Sequence, residues 1–243
     1  MDIEGKVALV TGAAKRVGRS IALALAERGA ELVVHYRASE REAQEVLAFA
    51  KKLGGKPAAV RADLGVSAEI GAMIESAMRA FGRIDILVNS AAIFYRTPFA
   101  ALTEADWDRF LSVNLKAPFL LCRHAGEIMC RQGHGKIVNV ADIAGSKVWA
   151  DFIPYSVSKA GLLALTTGLA KALAPAVQVN AIAPGTVLLP DGSAPDEQAR
   201  AVERVPLRRL GEPEDIARAA VYLVESDFVT GEVLTVDGGQ RLL

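Results

Sequence analysis

The sequence predicts a single-domain, doubly wound α/β fold in which about seven parallel strands are flanked by helices. Short runs rich in β-branched residues alternate with longer amphipathic stretches along the 243 residues. This alternation implies right-handed crossovers and a parallel sheet. The strand runs are apolar along their whole length, as expected when helices cover both faces of a sheet. No linker rich in proline or serine divides the chain, so we expect one domain over residues 1–243.

The predicted elements follow one another in regular order. The strands are KVALVTG, AELVVHY, KPAAVRAD, RIDILVNS, GKIVNVA, VQVNAIAP and GEVLTVDGG. The helices are expected at about residues 16–28, 39–53, 67–81, 104–131 and 155–174. The segment 184–198 is dense in Pro, Gly and Asp and is predicted to be irregular. We interpret residues 186–205 as a substrate flap, with a tolerated surface insertion as the alternative.

The composition favours small molecules as ligands. Lys and Arg together number 28 and are balanced by 28 Asp and Glu, so no bulk charge indicates nucleic acid or an anionic membrane as a partner. On one helix Cys122 and Cys130 would lie about 12 Å apart, too far for a disulfide, and free thiols suit a reducing compartment. No export signal or membrane-length apolar run is visible, which predicts a cytoplasmic protein. No metal site is predicted.

The stretch TGAAKRVG, between the first strand and the first helix, has the features of a phosphate-binding loop. Gly12 permits the tight turn, and Gly18 allows close approach to phosphates at the helix N-terminus. Five residues separate these glycines and Arg19 follows, so the spacing excludes a Walker loop. Arg16 stands where such loops usually carry their middle glycine. It is predicted to contact phosphate and substrate, or else to be a surface cation.

The end of the second strand indicates which nicotinamide cofactor is bound. Chains selective for NAD place a carboxylate there, whereas a cationic or hydroxyl cluster accommodates the 2′-phosphate of NADP. The residues present are His35, Tyr36, Arg37 and Ser39, with no acid before Glu40. This cluster predicts NADPH/NADP as the cofactor. A polar strand end that faces solvent is the alternative.

Tyr155 and Lys159, in YSVSK, are spaced to share one face of a helix. A phenol has a reference pKa near 10 and needs a neighbouring cation to exchange protons at neutral pH. We expect Lys159 to supply that charge and to hold a ribose hydroxyl.

These motifs resemble the short-chain dehydrogenase/reductase family over nearly the whole chain. The matching stretches are TGAAKRVG, ADLG, LVNSAA, YSVSK, APG and TVDGG, together with Asn114. The resemblance implies a Rossmann-type fold, hydride transfer with Tyr155 as the proton-exchanging group and Lys159 assisting, and a homotetramer with the helices near 104–131 and 155–174 at one interface. It also implies cofactor contacts from Val17, Asp63, Leu64, Asn89, Ser90, Ala91, Pro184 and Gly185.

Asn114 can also be argued from the backbone. Pro118 has no N–H, so the helical hydrogen bond to the Asn114 carbonyl cannot form. That oxygen is free to hold a water, and the resemblance assigns it a role in relaying protons to the lysine. A simple helix kink is the alternative.

Two departures from the family define a subtype. Asp142 stands thirteen residues before Tyr155, where the family usually has a serine, and Arg16 replaces a glycine. Both recur in pteridine reductases, together with Phe94 in NSAAIFYRTP, and the ending FVTGEVLTVDGGQRLL is similar to dihydromonapterin reductases. The resemblance implies that Phe94 sandwiches a flat pterin, and that Arg16, Asp142 and Tyr155 also contact the substrate.

The chemistry of a carboxyl at this position differs from that of a serine hydroxyl. A serine donates to a ketone oxygen, whereas an ionised aspartate only accepts hydrogen bonds. Reduction of a C=N bond needs a proton on nitrogen, which Asp142 with a raised pKa could donate while Tyr155 replenishes it. In the alternatives Asp142 only caps a turn, with Ser146 supplying the hydroxyl, and Phe94 belongs to the core.

Three functions follow from these observations. The leading hypothesis is an NADPH-dependent reductase of a pterin or dihydropterin. The second is a carbonyl or 3-oxoacyl thioester reductase, and the third is a non-catalytic NADP-sensing protein. The intact set of Asn114, Tyr155 and Lys159 argues against the third, because a sensor need not keep it.

Overall fold

Seven parallel strands form one sheet in the order β3-β2-β1-β4-β5-β6-β7 in a computed structural model that describes residues 1–189, 192 and 194–243. The strands are β1 Val7–Val10, β2 Glu31–Tyr36, β3 Ala58–Arg61, β4 Ile86–Asn89, β5 Gly135–Val140, β6 Val177–Pro184 and β7 Val233–Val236. The strand order reverses between β1 and β4. In sheets of this kind, ligands bind in the crevice outside the carboxyl ends of the strands at that point. The predicted doubly wound fold is confirmed.

Helices cover both faces of the sheet. The described residues form α1 Arg16–Glu27, α2 Glu40–Lys52, α3 Ser67–Phe81, α4 Glu104–Leu111, α5 Ala117–Gln132, α6 Ile153–Ala172, α7 Pro195–Glu203 and α8 Pro213–Glu225. On one face Ile21, Val46 and Ile216 from α1, α2 and α8 join a single buried cluster. On the other face Ile70 of α3 and Leu121 of α5 join a second. No helix in the described part of the chain is long and apolar enough to cross a membrane.

Two helices between β6 and β7 are absent from the sequence-based prediction. α7 lies inside the segment predicted to be an irregular flap, and none of its residues is buried. α8 begins at Pro213, and the Glu212 N–H donates to the Asp215 carboxylate at 2.9 Å. Because β6 and β7 are parallel, the chain between them must cross over, and α8 is the packed part of that crossover. Residues 190, 191 and 193 of the predicted flap lie outside the described residues.

The helical region predicted from 104 to 131 is interrupted by a π-helical turn, Ser112–Lys116. There the Ala117 N–H donates to the Ser112 carbonyl, five residues back. Pro118 lacks an N–H and cannot restore regular bonding to Asn114, which is buried within the turn. Such turns are frequent at functional sites. Both cysteines lie on α5 and are unpaired, as predicted.

Candidate active site

A cleft of about 1370 Å³ opens at the carboxyl ends of the strands. Pockets for one small ligand usually measure about 300–1,000 Å³, so this cleft has room for a dinucleotide and a substrate. The predicted site residues that line it are Gly12, Arg16, Val17, Gly18, His35, Tyr36, Arg37, Ser39, Asp63, Leu64, Ser90, Ala91, Phe94, Asp142, Tyr155, Lys159, Pro184 and Gly185. Asn89 and Asn114 are not among its lining residues.

The loop after β1 packs tightly against the chain that follows β4. Gly12 has φ +65°, and a Cβ there would lie 3.0 Å from the Cα of Ala91. A Cβ on Gly18 would lie 2.4 Å from the Gly12 carbonyl oxygen. The Thr11 hydroxyl accepts hydrogen bonds from the N–H groups of Ser90 at 2.9 Å and Ala91 at 3.1 Å. These contacts fix the loop where it leads into the N-terminus of α1. The free amides of that N-terminus suit a pyrophosphate.

Arg16 adopts a left-handed backbone conformation with φ +53°. For a residue with a side chain this conformation costs about 1–2 kcal/mol, which a glycine would not incur. Arg16 thus holds a backbone conformation that a glycine adopts without strain, while it carries a guanidinium. Arg16 Nη2 donates to the Leu188 carbonyl at 3.2 Å. The side chain therefore connects the phosphate loop to the segment after β6.

His35 is buried beneath the phosphate loop and does not act as a cation in the cleft. The Gly12 N–H donates to its Nδ1 at 3.1 Å, so Nε2 carries the proton and donates to the Ala62 carbonyl at 3.1 Å. Burial lowers the pKa of His35, against the Ala62 hydrogen bond and the Asp63 charge, which raise it. The neutral ring of His35 therefore braces the loop, and its contact with a 2′-phosphate stays a prediction.

The rest of the predicted 2′-phosphate cluster lies at the rim of the cleft. Arg37 is exposed, and its Nη1 stays 4.0 Å from the nearest Asp63 oxygen. Ser39 precedes α2 and makes no capping hydrogen bond with its side chain. Lys15, which was not predicted, also lines this rim and pairs with Glu42 at 3.1 Å. Lys15, Arg37 and Ser39 therefore bring two cations and a hydroxyl to the lining of the cleft, and this donor set fits a phosphate.

Asn89 is buried below the cleft and is not among its lining residues, and its contact with the cofactor stays a prediction. Its Nδ2 donates to Asn139 Oδ1 at 2.8 Å and to Cys122 Sγ at 3.2 Å. Asn139 in turn donates to the Thr166 hydroxyl at 2.9 Å. These bonds tie β4 and β5 to α6, and Asn89 supports the site from the core.

Asp142 directs its carboxylate at the phenol of Tyr155. The Tyr155 hydroxyl donates to Asp142 Oδ2 at 2.8 Å, while Oδ1 accepts the Ala144 N–H at 2.8 Å. Asp142 therefore caps a turn and contacts Tyr155 at the same time. Ser146 donates instead to the Ile143 carbonyl at 3.1 Å and does not line the cleft. The alternative in which Ser146 supplies the hydroxyl is excluded by this geometry.

Burial favours the protonated forms of both Asp142 and Tyr155. Burial raises the pKa of Asp142, although the Ala144 N–H, the Tyr155 hydroxyl and the charge of Lys159 each lower it. Burial also raises the pKa of Tyr155 well above its usual value, and the negative charge of Asp142 adds to that shift. Asp142 therefore loses its proton at a higher pH than an exposed aspartate would.

Lys159 lies below the pair, fully enclosed. Its ammonium donates to the Val140 carbonyl at 2.8 Å and lies 5.7 Å from the centre of the Tyr155 ring. Burial lowers the pKa of Lys159 to about 8, while the charge of Asp142 raises it. In this structure burial and the charge of Asp142 raise the pKa of Tyr155, and the assistance of Lys159 in proton exchange stays a prediction.

The Asn114 side chain links two parts of the site. Its Nδ2 donates to the Ile93 carbonyl at 3.0 Å and to the Ser158 hydroxyl at 3.3 Å, and its Oδ1 accepts the Ile93 N–H at 2.9 Å. Ser158 donates to the Tyr155 carbonyl at 2.6 Å. The side chain therefore fixes the segment after β4 against α6. The proton-relay role of the Asn114 carbonyl remains a prediction.

Phe94 belongs to an aromatic wall beside Tyr155 and not to the core. Its side chain is 52% exposed and stacks on Phe152 with ring centres 4.7 Å apart and planes 3° from parallel. The same ring meets the edge of Tyr155 at 4.8 Å. Trp149 contacts Phe152 edge-on at 5.9 Å. Sequence reasoning missed Phe152, although Phe152 and Trp149 both lie shortly before Tyr155 in the chain.

Comparisons with known proteins agree with this arrangement. A family model described as enoyl-(acyl carrier protein) reductase matches residues 12–241. Subunit BbsD of a (hydroxy(phenyl)methyl)succinyl-CoA dehydrogenase from Thauera aromatica is 39% identical over 250 residues, covering 100% of this chain and 99% of that protein. The 3-oxoacyl-(acyl-carrier-protein) reductase FabG of Thermotoga maritima is 36% identical over 244 residues, covering 98% and 99%.

A solved dehydrogenase/reductase from Sinorhizobium meliloti 1021 superposes with a TM-score of 0.92 at 36% identity and covers 98% of this chain and 97% of its own. The narrower resemblance to pteridine reductases finds no support in these relatives. The full-length match, the strand order and the Tyr155–Lys159 geometry lead to one conclusion. The chain is an oxidoreductase that belongs to the short-chain dehydrogenase/reductase family.

Proposed function

We propose that the chain is an NADPH-dependent reductase of carbonyl groups, with 3-oxoacyl thioesters or aryl ketones as the substrate class. The observation that carries the proposal is the position of Tyr155 at the wall of the cleft, with the buried ammonium of Lys159 5.7 Å from the centre of its ring. The relatives support it, because the names of two of them denote a 3-oxoacyl reductase and a dehydrogenase of a phenyl-substituted CoA ester.

The residues of this site divide the proton chemistry among them. The nicotinamide, when bound, supplies the hydride. Tyr155 donates its proton to the carbonyl oxygen as negative charge develops there. Asp142, when neutral, has one O–H to donate and can take the place of the family's serine hydroxyl or reprotonate Tyr155. The buried ammonium of Lys159 stabilises the transient negative charge on these oxygens.

NADPH is the proposed cofactor because Lys15, Arg37 and Ser39 line the cleft, and a cationic or hydroxyl cluster accommodates a 2′-phosphate. Arg37→Ala should raise KM for NADPH about tenfold and leave KM for NADH nearly unchanged, since one charged hydrogen bond is worth about 1.5–3 kcal/mol. Arg41→Ala is the matched control, because Arg41 is exposed on α2 and outside the cleft. Equal loss with both cofactors would refute a 2′-phosphate contact.

A substrate panel tests the reaction. Purified protein with NADPH should reduce an acetoacetyl thioester and an aryl ketone, and should reduce dihydrobiopterin much more slowly. The reverse ranking would select pterin reduction. Tight NADPH binding without turnover of any of the three would indicate a sensor and would overturn both enzymatic proposals.

Pterin reduction is the second candidate, and one observation favours it. A carboxyl group replaces the family's serine beside a half-exposed aromatic ring, and a pterin offers N–H groups to the one and a flat face to the other. Phe94→Ala should then raise KM for dihydrobiopterin far more than KM for a small ketone. Equal effects would leave Phe94 without a stacking role toward substrate.

We also propose a homotetramer, with α4, α5 and α6 at one interface. A groove between these helices is lined by apolar residues that include Leu115, Phe119 and Leu165, and Phe119 is 41% exposed. The mass of the protein in solution should equal four subunits. A mass of one subunit would contradict the proposal.

The flap proposal for 186–205 rests on four residues that line the cleft, Leu188, Leu189, Ala201 and Arg204.

A further inference from the structure

The charges in the substrate half of the cleft, the part formed by segments that follow β5 and β6, are unbalanced. Lys147 and Arg204 contribute two cationic side chains to its lining. The carboxyl groups there are Asp142, which bonds to Tyr155, and Asp151, which pairs with Arg96. Among the described residues, no Asp or Glu side chain pairs with Lys147 or Arg204, although the whole chain is neutral.

Arg204 is the cation of this pair with no bonding partner. It caps the C-terminus of α7, and among the residues that the structure describes none forms a hydrogen bond or ion pair with its guanidinium. Neighbouring arginines differ, since Arg200 pairs with Asp196 and Arg208 donates to the Glu203 carbonyl at 3.4 Å. The Arg204 guanidinium thus has five N–H donors that no described residue occupies, in a residue that lines the cleft.

Lys147 also lines the cleft and is held by one contact. It donates to the main-chain oxygen of Leu243, which also lines the cleft. This contact keeps the ammonium at the rim and leaves it two further donors. A guanidinium and an ammonium, which both line this cleft, are the donors that recognise carboxylates and phosphates, and the guanidinium can bind either in a bidentate manner.

We propose that Arg204 binds an anionic group of the substrate, a carboxylate or a phosphate, with Lys147 as the second cation. This inference rests on the proposed carbonyl reduction and defines the substrate further. The reacting carbonyl meets Tyr155, an apolar or flat portion lies against Phe94, and a negative charge reaches the segment after α7. Arg204 is then a specificity-determining residue that takes no part in the proton transfer.

Matched substrates test the proposal. For the wild-type protein, KM for 3-oxo-3-phenylpropanoate should be about tenfold lower than KM for its ethyl ester, and the difference should shrink with added salt. Arg204→Glu should raise KM for the acid at least tenfold and leave kcat and KM for the ester and NADPH nearly unchanged. Arg208→Glu is the control, because Arg208 lies four residues on and outside the cleft lining.

A second pair of substrates shows whether Arg204 binds a phosphate or a carboxylate. Acetoacetyl-CoA carries phosphates and acetoacetyl-N-acetylcysteamine is neutral. A KM advantage for the CoA ester that Arg204→Glu removes would identify phosphate, and an advantage confined to the propanoate would identify carboxylate. Equal KM values within both pairs, or an equal rise in KM for NADPH, would overturn the proposal.

Binding without turnover keeps the inference separate from the proposed reaction. Trp149 lines the cleft, so its fluorescence reports on ligands bound there, and Trp149→Phe identifies its share of the signal. With NADP bound, 3-phenylpropanoate should bind about tenfold more tightly than the neutral 3-phenylpropanamide, and Arg204→Glu should abolish the difference. This result can stand even if no ketone is reduced. Equal affinity for acid and amide would refute the anion site.

Discussion

Asp142 and Tyr155 share a single hydrogen bond, and the protonation of that pair controls what it can give to a substrate. While Asp142 is neutral, the pair has two protons and can satisfy both a developing oxyanion and the phenol. Once Asp142 ionises, the pair has one proton and a negative charge that opposes the oxyanion. Because burial raises the pKa of Asp142, this change occurs at higher pH than for an exposed aspartate.

A pH profile tests this account. In the wild-type protein, kcat/KM for carbonyl reduction should fall as pH rises through the raised pKa of Asp142. Asp142→Asn keeps an N–H donor at nearly the same position and cannot ionise, so this step should be absent from its profile. The measurement is initial rate against pH at saturating NADPH for both proteins. If the step persists in the Asn variant, the group that titrates is another one.

The sequence predicted which residues lie together where those residues are close to one another along the chain. The spacing that puts Tyr155 and Lys159 on one helix, and Asp142 shortly before it, indicated correctly which residues meet in the cleft. The hydrogen bonds of His35 and Asn89 could not be predicted, because both lie on strands, where polarity alone does not tell toward which side a residue points. Their partners, Gly12 in the loop after β1 and Asn139 on β5, are distant in sequence and are recognisable only in the folded chain.

The loop that joins β1 to α1 combines a strained backbone with a side-chain contact. At Arg16 the left-handed conformation opposes stability, and the hydrogen bond to Leu188 attaches the loop to the segment after β6. A glycine at this position would remove the strain and the contact together. An alanine would remove the contact and keep the strain. Comparing the two variants therefore separates these contributions.

Arg16→Gly should be more stable than Arg16→Ala by about 1 kcal/mol in urea unfolding. The gain of about 1–2 kcal/mol from relieved strain exceeds the loss of about 0.4–1 kcal/mol from a more flexible unfolded chain. Both variants should raise KM for NADPH to a similar degree, because both lack the guanidinium. An alanine variant as stable as the glycine variant would show that residue 16 is not strained.

At the level of elements, the prediction succeeded where periodicity is strong and failed between β6 and β7. The strands and α1 to α3 follow apolar patterns that the sequence displays directly. α8 was overlooked even though Pro213 and the spacing of Ile216, Ala220 and Leu223 are typical of a buried helix face. The π-helical turn was foreseen only as a kink at Pro118, because its register depends on packing around Asn114.

At the amino ends of the strands, away from the cleft, one buried carboxylate connects β1, β4 and β5. Asp85, which directly precedes β4, accepts the Val7 N–H of β1 at 2.9 Å and the Arg83 guanidinium at 2.8 and 2.6 Å. His134 Nε2, just before β5, lies 2.9 Å from the same carboxylate. Burial by itself would raise the pKa of Asp85, but these hydrogen bonds outweigh it and lower the pKa.

The sign of the pH dependence follows from this lowered pKa. An aspartate in the unfolded chain has a pKa of about 3.9, and the pKa of Asp85 in the folded protein is lower. Its contribution to stability is therefore complete above the unfolded pKa and is lost as pH falls through the folded one. Asp85→Asn should lower the free energy of unfolding near neutral pH by about 2–3 kcal/mol, because Arg83 and His134 lose their charged partner.

The acid part of the stability curve distinguishes this effect from simple loss of packing. Urea unfolding at a series of pH values should show wild-type stability declining toward acid and converging on that of Asp85→Asn. The control is Glu75→Gln, which removes an exposed pair with Arg79 and should change stability by less than about 0.5 kcal/mol. A constant gap between wild type and Asp85→Asn down to the lowest pH would mean that the carboxylate's charge does not contribute, and that shape alone accounts for its position between β1, β4 and β5.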